Sequence, residues 1–239
     1  MKVLITGASS GIGRQLALDY HRDGHQIWAL GRNPAALAEL EVLGIRTQAL
    51  ELTDRAAVLA WCQGLGSLDL AILNAGTCEY LELPAFDSAA FIRVMEANLA
   101  TLAICIEGVL PALQRGNNPR LAAMSSSAAF APLPRAEAYG ASKAAIRYLM
   151  DCLEVSLQGQ GIGVSTLFPG FVKTPLTDKN DFPMPLRISA ETASLRIRQG
   201  LAKGRRHIHF PKTFTWPLRL LGALPQGLWR HLAKGMLRR

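Results

Sequence analysis

The sequence predicts a doubly wound α/β fold: one parallel β-sheet with helices on both faces, in a single domain. Three observations lead there. Short apolar runs of strand length alternate with longer stretches of helical period along most of the 239 residues. The first run, Val3-Leu4-Ile5, feeds a glycine-rich loop, Thr6-Gly7-Ala8-Ser9-Ser10-Gly11-Ile12-Gly13, which opens the helical stretch Gln15 to Tyr20. Later runs end in small-residue turns, Asn74-Ala75-Gly76 and Pro169-Gly170, at the carboxyl edge where open parallel sheets bind ligands.

The glycine loop reads as a phosphate site. Gly7 and Gly11 let the backbone pass close to a pyrophosphate, and Gly13 lets the helix lie against the sheet. The anion would rest on free N–H groups at the helix N-terminus. The spacing, Gly-x-x-x-Gly-x-Gly, differs from the general dinucleotide fingerprint, and taken alone it also suits an ordinary tight turn.

Composition sets the limits. At 49 % hydrophobic residues the chain can bury a large core. No run reaches the roughly 18 apolar residues of a membrane span. Met1-Lys2-Val3 enters the first strand directly, so neither a signal peptide nor a transit segment is expected, and the expected location is cytoplasmic. Cys62, Cys78, Cys105 and Cys152 lie in separate elements, with no Cys-x-x-Cys and no paired histidines. They are expected to be reduced core thiols, and no metal site is expected. The net charge of +8 is uneven: residues 187–239 hold 12 Lys/Arg against the single Glu191, while residues 1–186 hold 14 against 17 Asp/Glu. A near-neutral body, residues 1–211, thus carries a basic extension, residues 212–239. That pattern argues for a partner of the extension rather than for a nucleic-acid enzyme.

Taken in order, the second strand is Gln26 to Leu30, ending at Gly31-Arg32-Asn33, and a helix starts near Pro34 with Leu37, Leu40 and Leu43 on one face. An acidic residue at that strand end would bind the ribose of NAD. Arg32 stands there instead, and a guanidinium matches a 2′-phosphate in charge and geometry, so NADP is favoured over NAD. The third strand is Arg46 to Leu50, followed by Glu51-Leu52-Thr53-Asp54 capping a helix to about Gln63. The fourth, Asp69 to Leu73, runs into Asn74-Ala75-Gly76. A helix from Asp87 to about Leu113 presents Phe91, Met95, Leu99, Leu102 and Ile106, and the Asn98 within it needs an explanation because its amide competes with the helix backbone. The fifth strand, Leu121 to Met124, ends in Ser125-Ser126-Ser127. Tyr139-Gly140-Ala141-Ser142-Lys143 then opens a helix through Leu157, with Tyr139 and Lys143 one turn apart on the same face. An acid/base tyrosine working near neutral pH needs nearby positive charge, which Lys143 and an oxidised nicotinamide could supply. The sixth strand, Ile162 to Phe168, is followed by Pro169-Gly170-Phe171-Val172-Lys173-Thr174, and a helix from about Ala190 to Lys203 precedes a last strand, His207 to Phe210. His207 and His209 alternate along that strand and make a poor metal pair.

These motifs, in this order, resemble the single-domain branch of the short-chain dehydrogenase/reductase family over roughly residues 2–211. The resemblance implies a Rossmann-type sheet of about seven strands and hydride exchange between a nicotinamide cofactor and a carbonyl or secondary alcohol. It implies Tyr139 as the acid/base, Lys143 binding the nicotinamide ribose and lowering the Tyr139 pKa, and Asn98 holding a water that links Lys143 to solvent. It also implies Ser126 on the substrate oxygen, chosen over Ser125 and Ser127, which read as turn residues, because it precedes the tyrosine by the family's interval. Cofactor contacts would come from Gly7, Ser9, Ser10, Gly11, Ile12, Gly13, Arg32, Leu52, Asn74, Ala75, Gly76, Tyr139, Lys143, Pro169, Gly170, Val172 and Thr174. Glu51 departs from the family's Asp and puts an adenine-edge contact in doubt. The family also implies a homodimer or homotetramer. A methyltransferase would not need the Tyr-x-x-x-Lys, and the extended epimerase branch needs an added domain.

The segment Leu176 to Arg187 reads as a mobile loop over the substrate. Its Phe182, Met184 and Leu186, with Phe130 and Phe171, suggest an apolar or lipid-like ligand. In the extension, Trp216 to Leu224 and Leu228 to Arg239 form two amphipathic pieces broken by Pro225. Trp229, Leu232 and Met236 share one face, and Arg230, Lys234 and Arg238 another. Either both pieces pack on the body or a second subunit, or they lie on an anionic membrane surface with the tryptophan at the interface. Two competing functions are a dinucleotide-binding sensor or scaffold and a membrane-anchored structural subunit. Neither needs a proton donor at Tyr139.

Overall fold

The strand order of the sheet reverses beside its first strand, and that reversal places the site. In the computed structural model, which describes residues 1–233, seven described strands make one parallel sheet. They are β1 (Lys2–Thr6), β2 (Gln26–Gly31), β3 (Arg46–Ala49), β4 (Leu70–Leu73), β5 (Arg120–Met124), β6 (Gly163–Pro169) and β7 (His207–Phe210). Their order is β3-β2-β1-β4-β5-β6-β7. The chain leaves β1 in one direction for β2 and β3 and in the other for β4 to β7, which opens a crevice at the carboxyl ends of β1 and β4.

Strands buried on both faces must be apolar throughout, as Leu70-Ala71-Ile72-Leu73 is. Side chains alternate across the sheet, so Val3 and Ile5 enter one core while Leu4 enters the other. The first core receives α1 (Gly11–Arg22), α2 (Pro34–Glu41) and α7 (Ala190–Ala202) through Leu16, Leu37, Leu40 and Ile197. The second receives α3 (Arg55–Gln63), α5 (Thr101–Gln114) and α6 (Glu137–Leu157) through Val58, Ile106, Val109, Ile146 and Met150. The predicted α/β layers are therefore present.

The long helix differs from expectation in one respect. It runs from α4 (Ser88–Met95) through a π-helical segment, Glu96–Ala100, into α5. Joined in this way, Ser88–Gln114 is long and apolar enough by length and composition to cross a membrane. Arg93, Glu96, Asn98, Thr101 and Glu107 interrupt it, so that no apolar run of about 18 residues occurs there, as expected. Leu102, Cys105, Ile106, Val109 and Leu113 are nevertheless buried in the second core, where α5 lies against α3. The cysteine expectation is also half corrected. Cys62 and Cys105 are buried, but Cys152 is exposed and Cys78 only partly covered.

Beyond β7 the chain turns back as α8 (Lys212–Gly222) and, after Pro225, α9 (Gln226–Ala233). Ala131, Leu218 and the buried Trp229 form a small core there, with Leu133, Phe214 and Leu221 packed against it. Trp229 thus faces the body, while Leu232, expected on the same face, is exposed. Helical period groups residues into faces without saying which face turns inward. Lys234, Met236 and Arg238 lie outside the described residues.

Candidate active site

The glycine loop is built by backbone geometry that few other residues permit. Gly7 and Gly11 have φ of 67° and 54°, a region open to glycine. A Cβ on Gly13 would come within 2.3 Å of the Gly7 carbonyl oxygen. The Asn74 turn is pinned to this loop: Thr6 Oγ1 accepts from the Asn74 and Ala75 N–H groups at 3.0 and 3.1 Å, and the Asn74 amide donates to the Thr6 carbonyl at 3.1 Å. Between them lies a cleft of about 280 Å³. Every residue expected to touch a cofactor lines it except Gly13, whose place is under the loop. The cleft and its glycine cradle fit a dinucleotide.

Arg32 stands at the end of β2, mostly exposed, with Nη1 3.8 Å from Glu51 Oε2. Glu51 and Thr53 line the cleft beside it, as do Thr77, Thr101 and Ser125 further along. Thr77 and Thr101 follow the Asn-Ala-Gly turn and Asn98 closely in sequence, which is the signal that could have found them.

Of the four chemically suggestive residues, Tyr139 and Lys143 line the cleft, Ser126 lines the neighbouring cavity with Tyr139, and Asn98 stands behind Gly76 beside Lys143. Lys143 is buried, and its Nζ donates to the Met124 carbonyl at 2.9 Å. Nζ lies 5.7 Å from the centre of the Tyr139 ring. Asn98 is buried and uses both amide hydrogens, donating to the Thr77 carbonyl at 3.0 Å and to Ser142 Oγ at 2.9 Å. Ser126 hydrogen-bonds the Tyr139 phenol, while its Oγ accepts from the Ala128 N–H at 3.1 Å and so closes the turn after β5. Ser125, expected only to turn the chain, donates to the Lys143 carbonyl at 2.8 Å and ties β5 to α6.

Burial dominates the electrostatics. It pushes the Tyr139 phenol above its ordinary value, helped by the neighbouring Cys78, while the Ser126 hydrogen bond pulls the other way. In the protein alone the net effect on Tyr139 is therefore upward. Lys143 itself is pushed down to about 8 by its own desolvation, against the opposing pull of Cys78.

A second cavity, about 450 Å³, adjoins the cleft. Tyr139, Gly170, Leu176 and Thr177 line both. Of the apolar set expected from the sequence, Phe171 and Phe182 line it and three do not. Phe130 stacks instead near Phe168 and His209, at 4.8 and 5.3 Å between ring centres. Met184 takes a contact from the Asn180 amide, and Leu186 is exposed. The walls that sequence reasoning missed are Cys78, Tyr80, Leu133, Phe214 and Leu218, contributed by two separate loops and α8. The covering loop carries a 3₁₀ turn, Thr177–Lys179. It is clasped by Tyr80 Oη donating to Asn180 Oδ1 at 3.1 Å and by Arg135 pairing with Asp181 at 2.9 Å.

The histidines take other work. His207 Nε2 lies 2.8 Å from Asp151, and His209 stacks on Phe168 and is pushed down to about 4 chiefly by burial. Among the described residues no cluster of three metal-binding side chains occurs.

Comparison with known proteins agrees with this geometry. The family model described as short chain dehydrogenase matches residues 1–183. An uncharacterized oxidoreductase of Myxococcus xanthus is 33 % identical over 97 % of this chain and 95 % of its own length. A 2-dehydro-3-deoxy-L-rhamnonate dehydrogenase (NAD(+)) of a Sphingomonas species is 30 % identical over 74 % of each chain. Among solved structures, a short chain dehydrogenase from Burkholderia cenocepacia in complex with NADP superposes with a TM-score of 0.87 at 22 % identity, covering 97 % of this chain and 96 % of its own. From the extent of the family match and the near full-length relative, the chain belongs to the short-chain dehydrogenase/reductase family of oxidoreductases.

Proposed function

We propose that the protein interconverts a ketone or aldehyde and its alcohol, with NADP as the hydride carrier and an apolar, lipid-like carbonyl compound as substrate. The observation that carries this reading is the place of Tyr139, which lines both the dinucleotide cleft and the apolar cavity. A proton donor at that junction meets a substrate oxygen from one side while the cofactor approaches from the other. When bound in the cleft, the nicotinamide supplies or accepts the hydride. The chain's own residues do the rest. Tyr139, held protonated by its surroundings, gives its proton to the carbonyl oxygen in reduction and takes it back in oxidation. Ser126 donates a hydrogen bond to the same oxygen and steadies its developing charge. Lys143, charged below about pH 8, binds the nicotinamide ribose and eases loss of the Tyr139 proton. Asn98 positions Thr77 and Ser142 around this pair. With both amide hydrogens used, it offers a water only the remaining Oδ1 lone pair or its main chain.

The preference for NADP rests on Arg32, whose exposed guanidinium can fork onto a 2′-phosphate. The apolar walls Phe171, Phe182, Leu133 and Leu218 support the substrate class. Residues 1–211 form the catalytic body and residues 212–239 the extension, as a homodimer or homotetramer in keeping with the family.

Label transfer tests the reaction. Reduction of a carbonyl panel with NADPH deuterated at its transferable position should leave one deuterium on the alcohol carbon, read by mass spectrometry. Tight NADPH binding with no labelled product from any member would favour a sensor instead.

A further inference from the structure

Helix α8 turns one face to chemistry and the other to solvent. Phe214 and Leu218 line the larger cavity. Phe214 also lies against the Pro169–Gly170 turn, where a Cβ on Gly170 would stand 2.7 Å from Cδ1 of its ring. At its far end a Cβ on Gly222 would come within 1.8 Å of the Phe130 carbonyl oxygen, in the loop that follows Ser126. The helix is thus seated on both turns that flank Tyr139. On its opposite side Trp216 and Leu220, one turn apart, are 49 % and 64 % exposed, and the Arg219 guanidinium sits 5.5 Å from the Trp216 ring. In α9, Trp229 packs inward toward Leu218 while Leu228 and Leu232, again one turn apart, are exposed. The charged side chains on the two helices have a single sign. Lys212, Arg219 and Arg230 are exposed on the two helices, and no Asp or Glu occurs from Thr192 to the C-terminus.

Exposed aromatic and aliphatic side chains framed by cations match the interface of an anionic bilayer, where the rings and leucines enter the headgroup region and the cations meet lipid phosphates. A second copy of the same face would bring cations against cations. We propose that the outer face of α8 and α9 docks on an anionic lipid surface, so that the cavity behind Phe214 and Leu218 receives its apolar carbonyl substrate from the bilayer. The delivery part rests on the reading of that cavity as the substrate site, whereas the docking part stands without it.

Co-sedimentation of the full chain with vesicles tests docking without reference to catalysis. The protein should sediment with phosphatidylcholine vesicles containing phosphatidylglycerol and stay in solution with pure phosphatidylcholine. Replacing Lys212 and Arg219 together by Gln should weaken binding roughly tenfold or more, and Leu220→Glu should weaken it about as much. Each variant should keep the wild-type melting temperature and NADPH affinity. Wild-type protein that stays in solution with the anionic vesicles, or variants that sediment like wild type, would overturn docking. So would a dimer that Leu220→Glu turns into a monomer without any vesicle binding. For delivery, hexadecanal carried in the two kinds of vesicle should oxidise NADPH several-fold faster from the anionic ones, and Leu220→Glu should abolish that difference. Equal rates would overturn delivery. Failure to turn over any carbonyl, with vesicle binding intact, would count against the reductase reading and leave docking in place.

Discussion

Asn98 and Thr77 are joined like two residues of a β-ladder. The Asn98 Oδ1 accepts the Thr77 N–H at 2.7 Å, and its Nδ2 donates to the Thr77 carbonyl at 3.0 Å. This pairing accounts for an asparagine in the middle of a helix and for the π-helical segment around it. The amide must reach a backbone from another part of the chain, and one extra residue in the turn lets it do so. Gly76 is required beside it, since a Cβ there would lie 2.8 Å from Oδ1 and 3.3 Å from Lys143 Nζ.

Asn98→Leu should therefore leave the part-buried Thr77 N–H and carbonyl without their side-chain partner and remove the donor to the buried Ser142 Oγ, which keeps its own hydrogen bond to the Tyr139 carbonyl. A loss of about 1–3 kcal/mol in urea unfolding is expected, together with a fall in turnover larger than any change in dinucleotide affinity. An unchanged unfolding midpoint would contradict this account of the pairing.

Lys143 predicts a pH dependence. Its ammonium is lost as pH rises through about 8 in the folded protein, whereas an unfolded lysine stays charged to about 10.4. Reduction measured as kcat/KM should therefore fall above pH 8, approaching tenfold per unit. Tyr139, pushed upward, adds no limb in that range. Lys143→Arg should move the limb well above pH 8. The sign for stability is the opposite: the unfolded chain binds the proton more tightly, so this group's contribution rises between about pH 8 and 10.4 and is absent below 8.

Arg32 and Glu51 set a cofactor contrast. Arg32→Ser should raise the Kd for NADPH by about 10- to 100-fold, as loss of a charge-assisted contact does, and leave NADH nearly unaffected. Glu51→Gln removes the carboxylate 3.8 Å from the guanidinium and should tighten NADPH slightly. Isothermal titration with both cofactors reads the contrast directly, and equal losses for NADPH and NADH in Arg32→Ser would contradict it.

Sheet, helices and the glycine loop were legible because their signals are local. Strand-length apolar runs, Gly7, Gly11 and Gly13, and the one-turn spacing of Tyr139 and Lys143 each impose their geometry within a few residues. What escaped was set by distant parts of the chain. Cys78, Tyr80, Phe214 and Leu218 meet only once the sheet has formed. The π segment depends on Thr77, some twenty residues earlier. Trp229 belongs to a legible amphipathic helix, yet only the body of the protein decides that it faces inward. The upward shift at Tyr139 depends on burial, which residue spacing does not report.

The measurement that bears most directly on the central claim compares wild type with Tyr139→Phe, following NADPH absorbance over a panel of ketones, aldehydes and long-chain carbonyls, with NADPH affinity measured in parallel. The account predicts turnover by the wild type and a rate about 10²- to 10⁴-fold lower in the variant, a loss far larger than any change in NADPH affinity. A variant that reduces the same carbonyl at the wild-type rate would show that the proton comes from elsewhere and would contradict the role given to Tyr139.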